Sequence, residues 1–461
     1  MRRFLLLMFL LAVVALSGAC SGPQAASPGA PGAVETVEEG PDFTVELWDG
    51  RSFKGPVTWT EEGSVCVAGK EFTSDDIKAL IAGDSSAQSE LVDVSNLPEG
   101  FEPLDEAALA EYRLRAENAA QEHKGVNAVF CLDKGEDMLR GDGSSVYRYH
   151  ALFLVLKDAG RENASISLGF DEGRSRARVL FARVIMPDGT SRYAPEGTFT
   201  VSVPSQQARF FDKRRRMLSG RISGAEIGTF VEYAYEYESY NPEIKDFFFP
   251  SWVFQSDVPV LDSVIDILVP EGRGVNDAML NAGLSLVTTG QFSIEGFDGY
   301  RWEMHDLEPI GTEPYMPPRS DISPSVHVSL YFEWAEFMAP TGEFQAERVA
   351  VTPEIEALAA ELTEGAATDD EKVAAIYHWV QRNINYLSIK ASLSSGWAGH
   401  PAAETLANGY GDCTDVANLV SSLCRAVGIE AYPAIVKTSD AGRAVTAIPN
   451  PDANHAIALV Y

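Results

Sequence analysis

The chain has little positive charge for its 461 residues, and this restricts the partners it can bind. Its 36 lysines and arginines stand against 67 aspartates and glutamates, so the formal net charge is −31. Because binding to phosphates requires clustered cations, this balance argues against nucleic acid as a partner. Zinc-type spacings such as C-x-x-C and H-E-x-x-H are also missing, so we predict no metal site. We also expect no cofactor.

The one concentrated basic stretch is Lys213-Arg214-Arg215-Arg216. It could hold a carboxylate or a phosphate of a wall polymer, a lipid or a partner protein. Alternatively, it forms a solvated edge or hairpin whose charges pair with neighbouring acids. We favour the second interpretation.

The N-terminus reads as an export signal. Arg2 and Arg3 precede an apolar run, Phe4–Leu16, that is too short to cross a membrane with normal flanks. The small residues Ser17–Ala19 then lead to Cys20. This pattern resembles a bacterial lipoprotein signal, in which Cys20 is the lipidated residue, and plain secretion is the alternative. We therefore expect an exported, membrane-anchored lipoprotein that faces the periplasm or the cell exterior.

Composition and periodicity divide the rest of the chain, and the predicted fold class is multidomain α+β. Alternating apolar and polar residues between turn signals predict strands, and many such strands indicate β-sandwich-like packing. A small β module is expected to end in a helix at Ser74–Ile81. The predicted segments are a signal peptide at 1–20, a flexible linker at 21–42, the small β module at 43–84, a linker and helix at 85–125, a β-rich domain at 126–260, a second β-rich portion at 261–345 and a C-terminal domain at 346–461.

The most informative stretch is Gly409-Tyr-Gly-Asp-Cys-Thr-Asp415, a glycine-rich turn that ends at Cys413. Apolar residues at helical spacing follow, so Cys413 is expected in the first turn of a buried helix, whose N-terminus favours a thiolate. His455 lies 455 − 413 = 42 residues further on, at the start of a predicted strand. This pair is typical of acyl transfer through a thioester. Asp412 and Asp415 are interpreted as structural, because their charge would oppose a thiolate.

These residues, with the helix end L-C-R-A-V-G-I and the strand N-H-A-I-A-L-V, resemble the transglutaminase-like, papain-related superfamily. The resemblance implies a papain-like α+β core with Cys413 as nucleophile and His455 as general base. It also implies a third, acidic residue on the strand after the histidine. That residue is not present in this chain, so the core is expected to be cut short, unless Asp440 or Asp452 replaces it.

The preceding β-rich region resembles an uncharacterised bacterial domain that precedes such cores in exported proteins. The resemblance rests on four stretches taken together, namely Pro187–Thr190, Phe211–Leu218, Gly228–Tyr235 and Phe248–Pro250. It implies an architecture and no settled activity.

Other histidines and cysteines have structural interpretations. His378, inside a helix, is expected to pack, and His400, before a proline, is expected at a turn or rim. Cys424 falls on the apolar face of its helix and is expected to be buried. Cys66 and Cys131 could form a disulfide in an oxidising compartment, or both could be free thiols.

Two functions remain open on this evidence. The first is an exported cysteine-dependent acyl-transfer enzyme, transglutaminase-like or an amide or peptide hydrolase, that acts on peptide, protein or peptidoglycan-like amides. The second is a non-catalytic binding or scaffold lipoprotein whose transglutaminase-like domain is degenerate. An intact Gly411-Asp412-Cys413 turn and His455 favour the first function, and the missing acidic residue favours the second.

Lipidation at Cys20 is directly testable. We expect acyl labelling of the exported protein and processing that is sensitive to globomycin, because Cys20 follows a charged start, an apolar run and small residues. Metabolic labelling of the wild type and of Cys20→Ala would measure this. Acyl labelling that persists in Cys20→Ala would contradict the prediction.

Overall fold

The computed structural model describes residues 42–47, 51–59, 65–67, 70–72, 77–82, 97–203, 214–282, 287–387 and 398–461. The chain separates into two compact units, residues 1–88 with 201–205, and residues 89–200 with 206–461. Cys20 and Lys213 lie outside the described residues. Within the described ranges, we find no helix with the length and apolar character needed to cross a membrane.

The first unit contains a five-stranded sheet in the order β4-β3-β2-β1-β5. Its strands are β1 Asp42–Leu47, β2 Ser52–Trp59, β3 Val65–Val67, β4 Lys70–Phe72 and β5 Ile77–Ala82. The helix predicted at Ser74–Ile81 is therefore wrong. Residues 77–82 instead pair antiparallel with β1, where Thr44 faces Ile81. Pairing with a neighbouring strand satisfies the backbone hydrogen bonds of this short segment, and tertiary context of this kind overrides a local helical pattern.

A long β-rich region follows the helix α1, Glu106–Glu122. Its strands are β6 Ala128–Leu139, β7 Ser145–Val155, β8 Ser165–Asp171, β9 Ser175–Ile185, β10 Ser191–Tyr193, β11 Phe199–Ser202, β12 Arg215–Arg221, β13 Phe230–Ser239, β14 Ser251–Val253, β15 Val260–Pro270, β16 Asn276–Leu280, β17 Thr288–Ile294, β18 Phe297–Leu307 and β19 Ser325–Ser329. Eight of them form one sheet in the order β10-β9-β13-β7-β6-β15-β18-β17. Because β6 and β15 pair in parallel, the predicted portions 126–260 and 261–345 share this sheet.

The two faces of the large sheet differ in chemistry, and β13 shows the difference most clearly. Its Glu232, Glu236 and Glu238 point to one face, since side chains alternate along a strand. On that face each glutamate accepts a hydrogen bond from an arginine of β9, namely Arg183 at 2.6 Å, Arg178 at 2.9 Å and Arg176 at 2.6 Å. The intervening tyrosines of β13 lie on the opposite face.

The tyrosine face is covered by a second sheet, with the order β14-β19-β16. A core of Trp252, Ile265, Trp302, Val326 and Val328 fills the space between them. Gly135 on β6 is required here, because a Cβ atom at that position would lie 2.6 Å from the Trp252 ring. On the opposite face, α1 packs its small residues against the sheet. The structure therefore has two layers of strands around one core, as the sequence predicted.

The C-terminal region is built around one buried helix, α6, Cys413–Ala426. The surrounding elements are α2 Trp334–Ala346, α3 Pro353–Leu362, α4 Asp369–Asn383, β20 Asn385–Tyr386, α5 Ala402–Asn408, β21 Tyr410–Gly411, β22 Ala431–Val436 and β23 His455–Val460. Leu419, Leu423 and Cys424 of α6 pack against Ile355 of α3 and Ile376 of α4. This arrangement confirms the predicted α+β class.

A partly buried carboxyl group of the β-rich region generates a prediction. Asp137 lies on β6 between Gly135 and the fully buried Leu139. Burial, with a smaller effect of Glu136, raises the pKa of Asp137 to about 8 from an ordinary value of 3.8. The folded state therefore holds this proton more tightly than the unfolded chain, so stability falls as pH rises from about 4 to about 8.

We expect Asp137→Asn to melt several degrees above the wild type at pH 8, with the difference disappearing near pH 4. Thermal melts at several pH values would measure the effect. The control is Asp158→Asn, which removes one exposed carboxylate. Parallel pH dependences of the melting temperature for wild type and Asp137→Asn would contradict the prediction.

Candidate active site

The helix α6 begins at Cys413, as predicted, because two aspartates close its first turn. The Asp412 side chain accepts hydrogen bonds from the backbone N–H groups of Thr414 at 2.9 Å and Asp415 at 3.2 Å. In return, the Asp415 carboxylate accepts the Asp412 N–H at 3.0 Å. This capping box confirms the structural interpretation of both aspartates. It leaves Cys413 at the positive end of the helix dipole.

The segment Ala398–His400 is held along the start of α6. Asp415 Oδ1 accepts the His400 backbone N–H at 2.6 Å, and Asn418 Nδ2 donates to the carbonyl oxygens of Ala398 at 2.9 Å and His400 at 3.2 Å. Gly399 has a φ of +71°, and a Cβ atom there would lie 2.8 Å from Asp415 Oδ1. Only glycine fits this close approach.

His400 is engaged by Asp415 through its ring as well. The distance from His400 Nδ1 to Asp415 Oδ1 is 3.1 Å, and this hydrogen bond raises the pKa of His400. The ring is partly exposed, which agrees with the predicted turn or rim position. His378 differs from its prediction, since it is exposed on α4 rather than packed. The helical face that points to the core carries Ile376 and Val380 instead.

The Cys413 thiol lies where α6 meets the hairpin of β22 and β23. It is 4% exposed and packs against Ala417 of its own helix, Ala456 of β23 and Ile435 of β22. Its Sγ is 3.9 Å from the Thr414 hydroxyl oxygen. The thiol is therefore almost completely enclosed by apolar side chains.

His455 opens β23 directly before Ala456, the neighbour of Cys413. It pairs in register with Val436 of β22 and is half-buried. Its imidazole makes no hydrogen bond within the described ranges. The fold thus places the backbone of His455 next to Ala456, the residue that packs on the Cys413 side chain. No hydrogen-bond partner orients the imidazole in the part of the chain that the structure describes.

The two carboxylates that could orient the imidazole are engaged elsewhere. Both Asp452 oxygens lie near Lys437 Nζ, at 2.7 Å and 2.9 Å, and one of them accepts the Val445 N–H at 2.9 Å. Asp440 is exposed, and a hydrogen bond from Thr438 lowers its pKa. Neither carboxylate contacts His455, so neither one is placed as the third, acidic residue that the resemblance implies.

Tyr386 is a neighbour of the thiol that the sequence did not reveal. It lies on β20, which pairs in parallel with β21, so that Tyr386 faces Gly411 and the Leu387 N–H donates to the Gly411 oxygen at 2.9 Å. Partial burial raises the pKa of Tyr386, and the charge and hydrogen-bonding interactions of the Cys413 side chain raise it further. A strand of two residues is too short to show a periodic pattern in the sequence. Tyr386 lies three residues after Asn383, the last residue of α4.

The other cysteines whose side chains the structure describes lack the features of a reactive thiol. Cys131 and Cys424 are free, buried thiols, so Cys131 does not form a disulfide. Burial raises the pKa of Cys424 to about 11 and raises that of Cys131 as well. The side chain of Cys66 lies outside the described residues. Among the residues that the structure describes, no three or more His, Cys, Asp or Glu side chains are grouped so that they could hold a metal ion.

The basic stretch also has a structural explanation over its described part. Arg215 pairs with Asp171 at 3.4 Å, and Arg216 forms an ion pair with Glu172. These contacts support the interpretation in which the arginine charges pair with neighbouring acids.

Family models match two parts of the chain. Residues 141–311 match DUF3857, a domain of unknown function, and residues 356–461 match the transglutaminase-like superfamily. The chain therefore carries a DUF3857 domain followed by a transglutaminase-like core, which confirms both resemblances predicted from the sequence. No curated protein matches the chain.

One solved structure has a similar fold. A candidate protease from Parabacteroides distasonis ATCC 8503 is similar with a TM-score of 0.60 and 18% identity, over 72% of this chain. The chain spans 65% of the length of that protein. A candidate cysteine protease from Cytophaga hutchinsonii has a TM-score of 0.22 and 16% identity, over 46% of this chain and 70% of that chain. A TM-score of 0.22 does not show a shared fold. At 18% identity, the Parabacteroides structure shows a shared fold alone.

The capping box at α6 leads to a stability prediction. Asp412→Ala removes the acceptor of two N–H groups, so we expect it to lower the free energy of unfolding by about 1–2 kcal/mol. Asp412→Asn keeps an acceptor oxygen and should lose much less. Urea unfolding would measure both variants, and equal losses for the two would contradict the capping role.

Proposed function

We propose that the transglutaminase-like core is a cysteine acyl-transfer enzyme, with Cys413 as nucleophile and His455 as general base. The observation that carries this proposal is the junction of α6 and β23. There, a thiol at a capped helix N-terminus packs against the residue that follows the histidine. A helix N-terminus favours a thiolate, and a histidine has an ordinary pKa suited to proton transfer near neutral pH.

The reaction proceeds in two steps. An imidazole nitrogen of His455 takes the proton of the Cys413 thiol, and the thiolate forms a C–S bond with an amide carbonyl carbon. Collapse of the tetrahedral intermediate breaks the C–N bond, and the imidazolium gives its proton to the departing amine. An amine or water then attacks the thioester, loses its proton to His455 and displaces the sulfur, which recovers that proton. Attack by an amine gives transamidation, and attack by water gives hydrolysis.

The developing oxyanion needs hydrogen-bond donors. The backbone N–H of Cys413 is the donor that the capping box leaves at the start of α6, since those of Thr414 and Asp415 already donate to Asp412. The phenol of Tyr386 lies beside the same thiol and keeps its proton, because its pKa is raised. Tyr386 is therefore a second group available to the acyl oxygen.

The substrate class follows from this chemistry. A thioester mechanism suits peptide, protein or peptidoglycan-like amides, and the fold relative from Parabacteroides distasonis is described as a candidate protease. A lipid anchor at Cys20 would hold the enzyme at a membrane outside the cytoplasm, close to such polymers. The scaffold alternative is favoured by one observation, the lack of a hydrogen-bond partner for His455 in the described part of the chain.

Labelling of the cysteines tests the nucleophile. We expect iodoacetamide to modify Cys413 faster than Cys131 or Cys424, because burial raises the pKa of the latter two thiols. His455→Ala should slow the modification of Cys413. Mass mapping of labelled peptides over time would give the three rates.

Turnover tests the reaction itself. Glutamine-containing peptides and cross-linked peptides distinguish transamidation from hydrolysis, and Cys413→Ala should abolish both. We expect His455→Ala to lower the rate about 10²- to 10⁴-fold. Equal labelling of all three cysteines, or turnover that survives in Cys413→Ala, would overturn the proposal and leave the scaffold function.

A further inference from the structure

The loop that carries His455 is closed at its neck by paired polar groups. Residues 437–454 connect β22 to β23, and His455 follows directly. The Thr438 N–H donates to Asn454 Oδ1 at 2.8 Å, and Asn454 Nδ2 donates to the Thr438 hydroxyl oxygen at 2.7 Å. Beside this pair, Lys437 forms an ion pair with Asp452, two residues before Asn454. The two ends of the loop, here called the 437–454 loop, are therefore tied together directly before His455.

The far end of the 437–454 loop is held by the β-rich region. Asp321, in the turn Arg319–Asp321 before β19, accepts the backbone N–H of Arg443 at 2.7 Å. Gly442 is buried against this turn with a φ of +98°. A Cβ atom at Gly442 would lie 2.6 Å from Ser320 Oγ and 2.7 Å from Asp321 Oδ1. A methyl group at Gly442 would therefore force the Ser320 and Asp321 side chains to move and would be strained at this positive φ.

An apolar contact adjoins these hydrogen bonds. Val445 and Ile448 of the loop are 6% and 2% exposed, and they pack on Ala278 of β16. Asn450 fixes the loop between them, since its side-chain amide donates to the carbonyl oxygens of Val445 at 2.7 Å and Ile448 at 2.6 Å. Burial of such residues gives the loop a defined seat on the β16–β19 sheet.

Charged groups at the neck of the loop also act on a histidine of β19. Burial lowers the pKa of His327, while the charge of Asp452 raises it and that of Lys437 lowers it. The β-rich region contacts the 437–454 loop at two places, the turn at Asp321 and the strand β16.

From these contacts we infer that the DUF3857-bearing region is part of the catalytic centre, because it seats the 437–454 loop and thereby positions His455 against Cys413. Asp321 and Gly442 are positioning residues in this scheme, and neither touches a reacting atom. The inference rests on the proposed function, in which His455 is the base. Of the contacts, Ala278 lies within the residues 141–311 that match the domain of unknown function, and Asp321 follows them in the same β-rich region.

The physical argument is one of geometry. His455 has no partner of its own within the described residues, so its placement depends on the backbone that enters β23. Asn454 and the neck fix that backbone on one side, and the seat on the β-rich region fixes the other end of the loop. A displacement of about 1 Å can lower a reaction rate about 10²-fold. Loss of the contacts between the loop and the β-rich region should therefore slow the reaction of Cys413.

The test uses the full chain and an activated ester, p-nitrophenyl acetate, so that no natural substrate is required. Acylation of Cys413 releases nitrophenolate, and the rate seen in Cys413→Ala is subtracted. Gly442→Ala introduces both the clash and backbone strain at positive φ. Its matched control is Gly365→Ala, whose φ of +81° gives similar strain but whose Cβ atom would meet nothing within 4 Å. Asp321→Ala removes the acceptor for the Arg443 N–H, and Asp321→Asn retains an acceptor oxygen.

We expect Gly442→Ala and Asp321→Ala to slow acylation about 10- to 100-fold, while Gly365→Ala and Asp321→Asn stay near the wild type. A double variant then separates positioning from general damage. Gly442→Ala added to His455→Ala should slow the reaction no further, because both act through the same imidazole. If Gly442→Ala does not fold, shown by the loss of a cooperative melt, the two Asp321 variants carry the same comparison.

Three results would overturn the inference. The first is a wild-type rate in both Gly442→Ala and Asp321→Ala, and the second is a double variant that is slower than His455→Ala by the full factor of the single change. The third is a wild-type rate in His455→Ala, which would refute His455 as the base and so remove the proposed function together with the inference. A slow His455→Ala with additive effects would leave the proposed function intact and refute the positioning role alone.

Discussion

The reciprocal hydrogen bonds between Asp412 and Asp415 are the constraint on which the candidate site depends. They start α6 at Cys413, and they take up the backbone N–H groups of Asp412, Thr414 and Asp415. The same Asp415 carboxylate anchors His400 and so holds the segment Ala398–His400 against the helix. One carboxylate therefore sets the start of the helix and the position of a neighbouring segment. Its negative charge is taken up by hydrogen bonds from backbone and imidazole, so it is not left to oppose a thiolate.

The parts of this arrangement that are local in sequence could be predicted from the sequence. The turn at Gly411, the helix start at Cys413 and the strand at His455 each carry a pattern within a few residues. The alternation of acidic and aromatic residues along β13 is likewise a local pattern that favours a strand. Local patterns report local hydrogen bonds and one buried face, and these elements have both.

The parts that could not be predicted depend on distant pairing. Ile77–Ala82 becomes a strand only because β1 offers an edge, and Tyr386 reaches Cys413 only because two residues pair with β21. Likewise, nothing around Arg443 or Asp321 indicates that they meet, since they are separated by 122 residues. A single sequence contains no signal for such contacts, because each partner satisfies its own local preferences without the other.

The parallel pairing of β6 with β15 has a consequence for the synthesis of the chain. Lys134 of β6 lies beside Val264 of β15, although all of β7 to β14 separates them. While the chain emerges from the ribosome, β6 can pair with β7 early, but its other edge stays open until β15 has left the exit tunnel. An open edge of this kind is a hazard for pairing with other chains. The large sheet can therefore be completed only after β15 has been synthesised. The helix α6, which bears Cys413, is synthesised after β15.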